Sequence, residues 1–348
     1  MAQGLTRLIP RPARLLASRW LAGRTSAQFA RDFEAIVARP DPIVAGPWLG
    51  EVGFELLYWV PFLAWCAEHF DVPPERWIII SRGGTASWYR TFASRYADVF
   101  EQVSPEVFRE QHDERVRTLG EQKQTRLTAF DEQLIAGAAA KYQVSSWSVL
   151  HPSRMYELLN PFWWGHLDTT WVRRHTRYAR LRSPDMVGVP PMPGSYVATK
   201  FYFNECFPPT DANRAFASHV LRSLAREGPV IALSTGLAID DHDAHAVADS
   251  GVQHLPEDID PAKNLHVQDA LVAGARAFVG TYGGFSYLAP FHHVPSYAFY
   301  SDAAGFSPKH LALAHEAIAV TGAPGALHVN DAASGPPILP LSAEVLRG

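Results

Sequence analysis

Apolar positions fall into two spacings that alternate along the chain. Short continuous runs ("PIVAGPW", "RWIIIS", "YVATKFYF", "PVIALST", "AFVG", "SYAFY", "ALHVND") have the length and β-branched content of strands buried on both faces. Longer stretches between them ("LLYWVPFLAWCAEHF", "ANRAFASHVLRSLAREG", "VQDALVAGARA", "PKHLALAHEAIAVTG") carry helical spacing, and "SWYRTFASRYADVF" is predicted to be a helix following Gly83-Gly84. Strand alternating with helix predicts an α/β protein with parallel sheets covered by helices.

The alternation breaks twice. From Ser104 to about Ala139 the chain turns polar, which predicts a charged helical insertion with a solvated face. Near Arg182 to Gly194, "ARLRSPDMVGVPPMPGS" has proline and glycine without periodicity and reads as a linker. The expected organisation is a basic amphipathic segment over 1–40, a Rossmann-like domain over 41–182, a second over 195–331 and a tail over 332–348. Two such domains facing across a cleft place the carboxyl ends of both sheets around a ligand site.

Composition narrows the partners. A hydrophobic fraction of 47% over 348 residues supports real cores, and a net charge of −4 supplies no basic field for nucleic acid. Cys66 and Cys206 sit in apolar contexts and read as reduced thiols, which favours the cytoplasm. No apolar run reaches the length of a membrane span, since "LLYWVPFLAWCAEHF" holds Pro61 and ends in charge. Residues 1–31 hold six arginines and no acid, with Leu15, Leu16, Trp20 and Leu21 among them. That pattern suits contact with an anionic membrane surface and also resembles a transit peptide; a plain frayed terminus is the simpler alternative.

Candidate chemistry gathers at glycine turns between strand and helix. Gly50-Glu51-Val52-Gly53-Phe54-Glu55 follows the first strand, and Gly283-Gly284-Phe285-Ser286 interrupts "AFVGTYGGFSYLAPFHHVPSYAFYS". Such turns offer backbone N–H groups and a positive helix end to an anion. Neither matches G-x-G-x-x-G, and no G-x-x-x-x-G-K-[ST] loop is present, so the familiar dinucleotide and ATP loops are not supported. Lys200, at a strand end, is a candidate cation, and Asn204 a candidate partner for a phosphate or ribose oxygen. Glu51 and Glu55, at a helix start where partial burial raises a carboxylate pKa, are candidate general bases, with Glu51 preferred. The plainer alternatives are a steric turn at the glycines, a surface lysine at 200 and helix-capping carboxylates.

The segment "GTYGGFSYLAPFHHVPSYAFYS" resembles the donor-site region of GT-B glycosyltransferases, and "GPWLGEVGFELLYWVPFL" is similar to their N-domain glycine loop, especially in a group of bacterial polysaccharide-biosynthesis proteins. The resemblance spans roughly Asp41 to Asp331 and implies a nucleotide-diphosphate sugar donor, a saccharide or lipid-linked acceptor, and no metal or other cofactor. It implies donor binding by Lys200, Asn204, Thr235, Gly236, Asp241, His242, Tyr282, Gly283, Gly284, Phe285 and Ser286. Acceptor binding would fall to Gly50, Gly53, His151, Arg154, Trp163 and Trp164, the tryptophans because indoles stack on sugar faces; aromatic core packing is the alternative. Polysaccharide pyruvyl transfer on the same fold, and non-catalytic binding of a sugar or nucleotide, stay open. "DDHDAH" (Asp240 to His245) is the most metal-like cluster, although its loop spacing specifies no coordination geometry. His292 and His293 read as helix-end residues within reach of a phosphate.

Overall fold

The computed structural model describes residues 11–120, 123–235, 237 and 251–334, with side chains from residue 17. The protein is α/β and contains two sheets whose strands are all parallel. The first has the order β3-β2-β1-β4, from β1 (Ile43–Ala45), β2 (Trp77–Ser81), β3 (Arg95–Asp98) and β4 (Ser148–Leu150). The second has the order β10-β9-β8-β5-β6-β7. Its strands are β5 (Val197–Lys200), β6 (Val230–Ala232), β7 (Val252–His254), β8 (Ala277–Thr281), β9 (Ser296–Tyr300) and β10 (Leu327–Asp331).

Eight helices accompany the first sheet among the described residues: α1 (Arg11–Val37), α2 (Val52–Phe54), α3 (Val60–His69), α4 (Ala86–Tyr89), α5 (Pro105–Leu119), α6 (Ala129–Lys141), α7 (Pro152–Trp163) and α8 (Thr169–Arg174). The second sheet carries α9 (Asp211–Glu227), α10 (Asn264–Ala273), α11 (Gly284–Phe291) and α12 (Pro308–Val320). The central strands β1, β2, β5 and β8 are almost wholly buried, as their unbroken apolar runs predict.

Three apolar clusters hold the layers. One covers the outer face of the first sheet, with Val44, Ile78, Ile80, Leu134 and Ile135. A second lies on the matching face of the second sheet, with Val197, Val230, Val279 and Phe299. The third is continuous across both halves, from Phe29 and Trp59 to Phe285 and Leu327, so the halves share one core.

Three local expectations are corrected. "SWYRTFASRYADVF" is a single helical turn, α4, followed by strand β3, because Ala97 and Val99 pack inward while Arg95 and Tyr96 stay partly open at the sheet edge. The polar insertion is not simply solvated. Its helix α6 buries Leu134, Ile135 and Ala138 against the first sheet, and Arg115 of α5 pairs with buried Asp131 at 2.8 Å. Within the basic N-terminal segment, Ala22, Phe29 and Phe33 are buried against Phe62, Trp65, Phe70 and Trp77. Each buried phenylalanine contributes roughly 2 kcal/mol. Trp20 and Leu21 remain exposed on the same helix, while the side chains of Leu15 and Leu16 lie outside the described residues.

Between α2 and α3 the helix widens into a π-turn, Glu55–Trp59, and the whole run from Val52 to His69 is continuous. Pro61 near its middle has no N–H to offer the carbonyl of Leu57. The Tyr178 hydroxyl supplies that bond at 2.9 Å, and Arg177 N–H donates to the Pro61 carbonyl, which ties the chain after α8 onto this helix.

Candidate functional site

The carboxyl ends of the two sheets meet face to face. The loop after β1 lies against the loop after β8: a Cβ built on Gly284 would come 2.6 Å from Gly53 N, and one on Gly53 would come 3.1 Å from Gly284 Cα. The loop after β2 meets the start of α10. His266 N–H donates to the Gly83 carbonyl at 2.8 Å, Gly83 lies on Leu265, and Gly84 lies on His266. Both of these glycines have positive φ (71° and 85°), so a side chain there would be strained as well as crowded. The expected glycine turns are thus brought together, and the approach itself is what demands glycine at 53, 83, 84 and 284.

Polar groups pin the same seam. Asp269, buried on α10, accepts from Ser87 Oγ (3.0 Å) and Trp88 Nε1 (3.0 Å) of the first half, and pairs with His292 Nε2 (2.6 Å) at the end of α11. Lys200, at the carboxyl end of β5, donates to Gln268 Oε1 at 2.6 Å and lies 3.9 Å from the centre of the Phe285 ring. Neither Asp269 nor Gln268 carries a signal in the sequence, since the partners that define their roles come from other elements.

The two candidate carboxylates separate sharply. Glu51 is exposed at the residue that opens α2. Glu55 is sealed: its Oε1 accepts from Ser81 Oγ and Tyr89 OH, both at 2.5 Å, while Oε2 is buried without a hydrogen-bond partner. Burial pushes the Glu55 carboxyl up to about 7, against the pull of its two hydroxyl donors and of Arg82. Asp98, at the end of β3, is likewise pushed up to about 6 by burial, although Gly84 N–H, Phe100 N–H and Tyr96 OH all donate to it. A base must reach solvent or substrate, so Glu55 does not qualify as one in this structure.

Other candidates divide in the same way. Ser286 is fully buried, and its hydroxyl closes the turn by donating to the Gly283 carbonyl and accepting from Gly283 N–H, so it points at no ligand. Asn204 Oδ1 accepts from Phe207 N–H at 2.8 Å, which commits its amide to a local turn. Tyr282 is buried and receives the Tyr287 hydroxyl; burial pushes its phenol up to about 12. Thr235 is buried just beyond β6. Gly236, Asp241 and His242, with the rest of the "DDHDAH" cluster, lie outside the described residues. Among the described residues no group of three or more His, Cys, Asp or Glu side chains is placed to hold a metal.

On the acceptor side, His151 caps α7 through Ser153 N–H and lies 3.5 Å from Asp131, and Arg154 is held by Asp32 of α1 and by Glu157. Both are used inside the first half rather than at the seam. Gly50 lies against Trp48, and its carbonyl accepts from Arg82 at 2.7 Å. His293 is bonded to the Thr321 carbonyl at 2.7 Å.

Trp163 belongs to an aromatic group with Phe54, Tyr58 and Tyr156 that borders the seam on the Glu51 side. His310 of α12 closes it from the second half and shares a 2.9 Å hydrogen bond with the Tyr58 hydroxyl. Burial, together with the nearby Lys123 and Lys309 ammonium groups, pushes the His310 imidazole down to about 4, so it is neutral at pH 7.

No protein-family model and no curated protein matches the sequence. Among solved structures, the chain is similar in outline to Escherichia coli heptosyltransferase WaaC with ADP, at 11% identity and TM-score 0.40 over 83% of this chain and 93% of that one. E. coli ADP-heptose LPS heptosyltransferase II gives 11% identity and TM-score 0.42 over 83% and 90%. A glycosyl transferase family 9 protein of Veillonella parvula gives 10% identity and TM-score 0.39 over 85% and 86%. Likeness at this level carries no assignment of substrate or chemistry.

Proposed function

We propose that the protein is a glycosyltransferase that moves a sugar from a nucleotide-diphosphate donor to a saccharide or lipid-linked acceptor in bacterial surface polysaccharide synthesis. The observation that carries this reading is the contact of Gly53, two residues after Glu51, with Gly284 at the start of α11 in the other half. A solvent-open carboxylate thus stands beside the start of α11, at the carboxyl ends of two parallel sheets.

In this reading Glu51 takes the proton from the acceptor hydroxyl as that oxygen attacks the anomeric carbon, and the bond to the diphosphate breaks. The charge gathering on the departing diphosphate is met by Lys200 and by the positive end of α11 rather than by a metal. Trp163 and Trp164 serve as the acceptor platform. The exposed Trp20 and Leu21, with Arg24 over the Trp20 ring, support contact of the basic helix with a cytoplasmic membrane face where a lipid-linked acceptor would lie.

The test is release of nucleoside diphosphate from a panel of nucleotide sugars incubated with short saccharide acceptors, with and without EDTA. EDTA-insensitive release that requires an acceptor supports the reading. Turnover of phosphoenolpyruvate in place of any nucleotide sugar would replace it with pyruvyl transfer.

A further inference from the structure

Beside Glu51 the structure has a feature that sugar transfer in general does not require: two lysines, one from each half, converge on the aromatic group. The Lys123 Nζ stands 5.4 Å from the Phe54 ring centre and 5.2 Å from that of Trp163. Lys309 reaches in from α12 and lies over Gly165, where a built Cβ would come 2.5 Å from its Nζ. Gly165 has φ of 75°, so the backbone is turned to leave that space open. His310, next to Lys309 in sequence, lies 5.2 Å from the Phe54 ring centre, and burial, with both ammonium groups nearby, keeps it neutral at pH 7. Among the described residues Lys309 forms no ion pair. Next to it Trp164 is 69% exposed, the same fraction as Val187 and the highest among the large apolar side chains described.

We propose that Lys123 and Lys309, with the open face of Trp164, form a subsite for an anionic saccharide, a sugar bearing a phosphate or carboxylate. The rings of Phe54 and Trp163 hold one cation in place, so less side-chain freedom is lost when an anion arrives. A flat exposed indole beside paired cations suits a ligand with an apolar sugar face and a charged substituent. Because the lysines come from different halves, the ligand would bridge the seam at the mouth that Glu51 occupies. Naming this sugar as the acceptor rests on the transfer reading; its binding does not.

The test is isothermal titration calorimetry of the full chain, without nucleotide, against glucose 6-phosphate, glucuronate, glucose and inorganic phosphate. Both charged sugars are expected to bind, with glucose and inorganic phosphate each at least about tenfold weaker. The Lys123→Ala/Lys309→Ala double variant should lose about tenfold or more for the charged sugars, and raising salt should weaken the wild type in the same direction. Arg222→Ala, at an exposed position of α9, should change nothing. Equal binding of glucose, equal binding of inorganic phosphate, or unchanged affinity in the double variant would each overturn the proposal. A nucleotide that fails to bind would count against the transfer reading and leave this result standing.

Discussion

Glu51 and Glu55 lie one helical turn apart on the same run of chain, and they inhabit opposite environments. Glu51 opens the helix and faces solvent; Glu55 begins the π-turn and is enclosed by Ser81, Tyr89 and the surrounding core. The first is exposed and the second is enclosed by the fold. Spacing alone makes them equivalent candidates, and only the residues brought over them from elsewhere assign their roles.

The largest effect expected from this contrast is on rate. Glu51→Gln should lower turnover by roughly 10²- to 10⁴-fold with the melting temperature unchanged, as for loss of a general base. Retained turnover in that variant would remove Glu51 from the reaction. Glu55→Gln should leave nucleotide affinity unaltered and instead change how stability responds to pH. With a folded value near 7 against an ordinary 4.5, Glu55 contributes stability that is complete below pH 4.5 and lost as pH rises through 7. The amount is up to about 3 kcal/mol. The wild-type melting temperature should therefore fall between pH 5 and 8 relative to that of Glu55→Gln. Asp98, displaced to about 6 in the same sense, leaves a smaller slope in the variant. Parallel curves for the two proteins would contradict the burial-raised carboxyl of Glu55.

The seam gives two smaller tests. Gly284→Ala puts a methyl 2.6 Å from Gly53 N and 3.0 Å from Val52 Cβ, and should cost about 2 kcal/mol in urea unfolding as the halves are pushed apart. An unaffected midpoint would mean that the two loops separate freely. Ser87→Ala removes one of the bonds to Asp269 and should cost about 1 kcal/mol, leaving Trp88 and His292 in place. A loss several times larger would show that the latch acts as a unit.

How much of this was legible in advance follows from what each feature depends on. Strands β1, β2, β5, β8 and β9 are written in continuous apolar runs, because a parallel strand covered on both faces needs such a run wherever it lies. Strand β7 gives no such signal, since two of its three residues are exposed, and the short alternation of β3 is compatible with a helix. The glycine turns stood out, yet their use is partly the reverse of the expected one: Gly53 and Gly284 make room for each other. Glu55 could not be told from Glu51, because Ser81 and Tyr89 lie 26 and 34 residues away in sequence. The same holds for His151 and Arg154, whose partners Asp131 and Asp32 arrive from other helices. Lys123 and Lys309 have no common sequence context at all; folding alone brings one to Trp163 and the other to Gly165.

The central claim is that a nucleotide diphosphate binds where the two glycine loops meet, beside Lys200. Its most direct test is a thermal-shift titration of the wild type, Glu51→Gln and Lys200→Ala against nucleoside diphosphates, nucleotide sugars and phosphoenolpyruvate. A ligand that binds only the folded state raises the melting temperature by mass action. The account predicts a shift for one class of nucleotide base in the wild type and in Glu51→Gln, and a reduced shift in Lys200→Ala. No response to any nucleotide at millimolar concentration, or an equal response in Lys200→Ala, would contradict it.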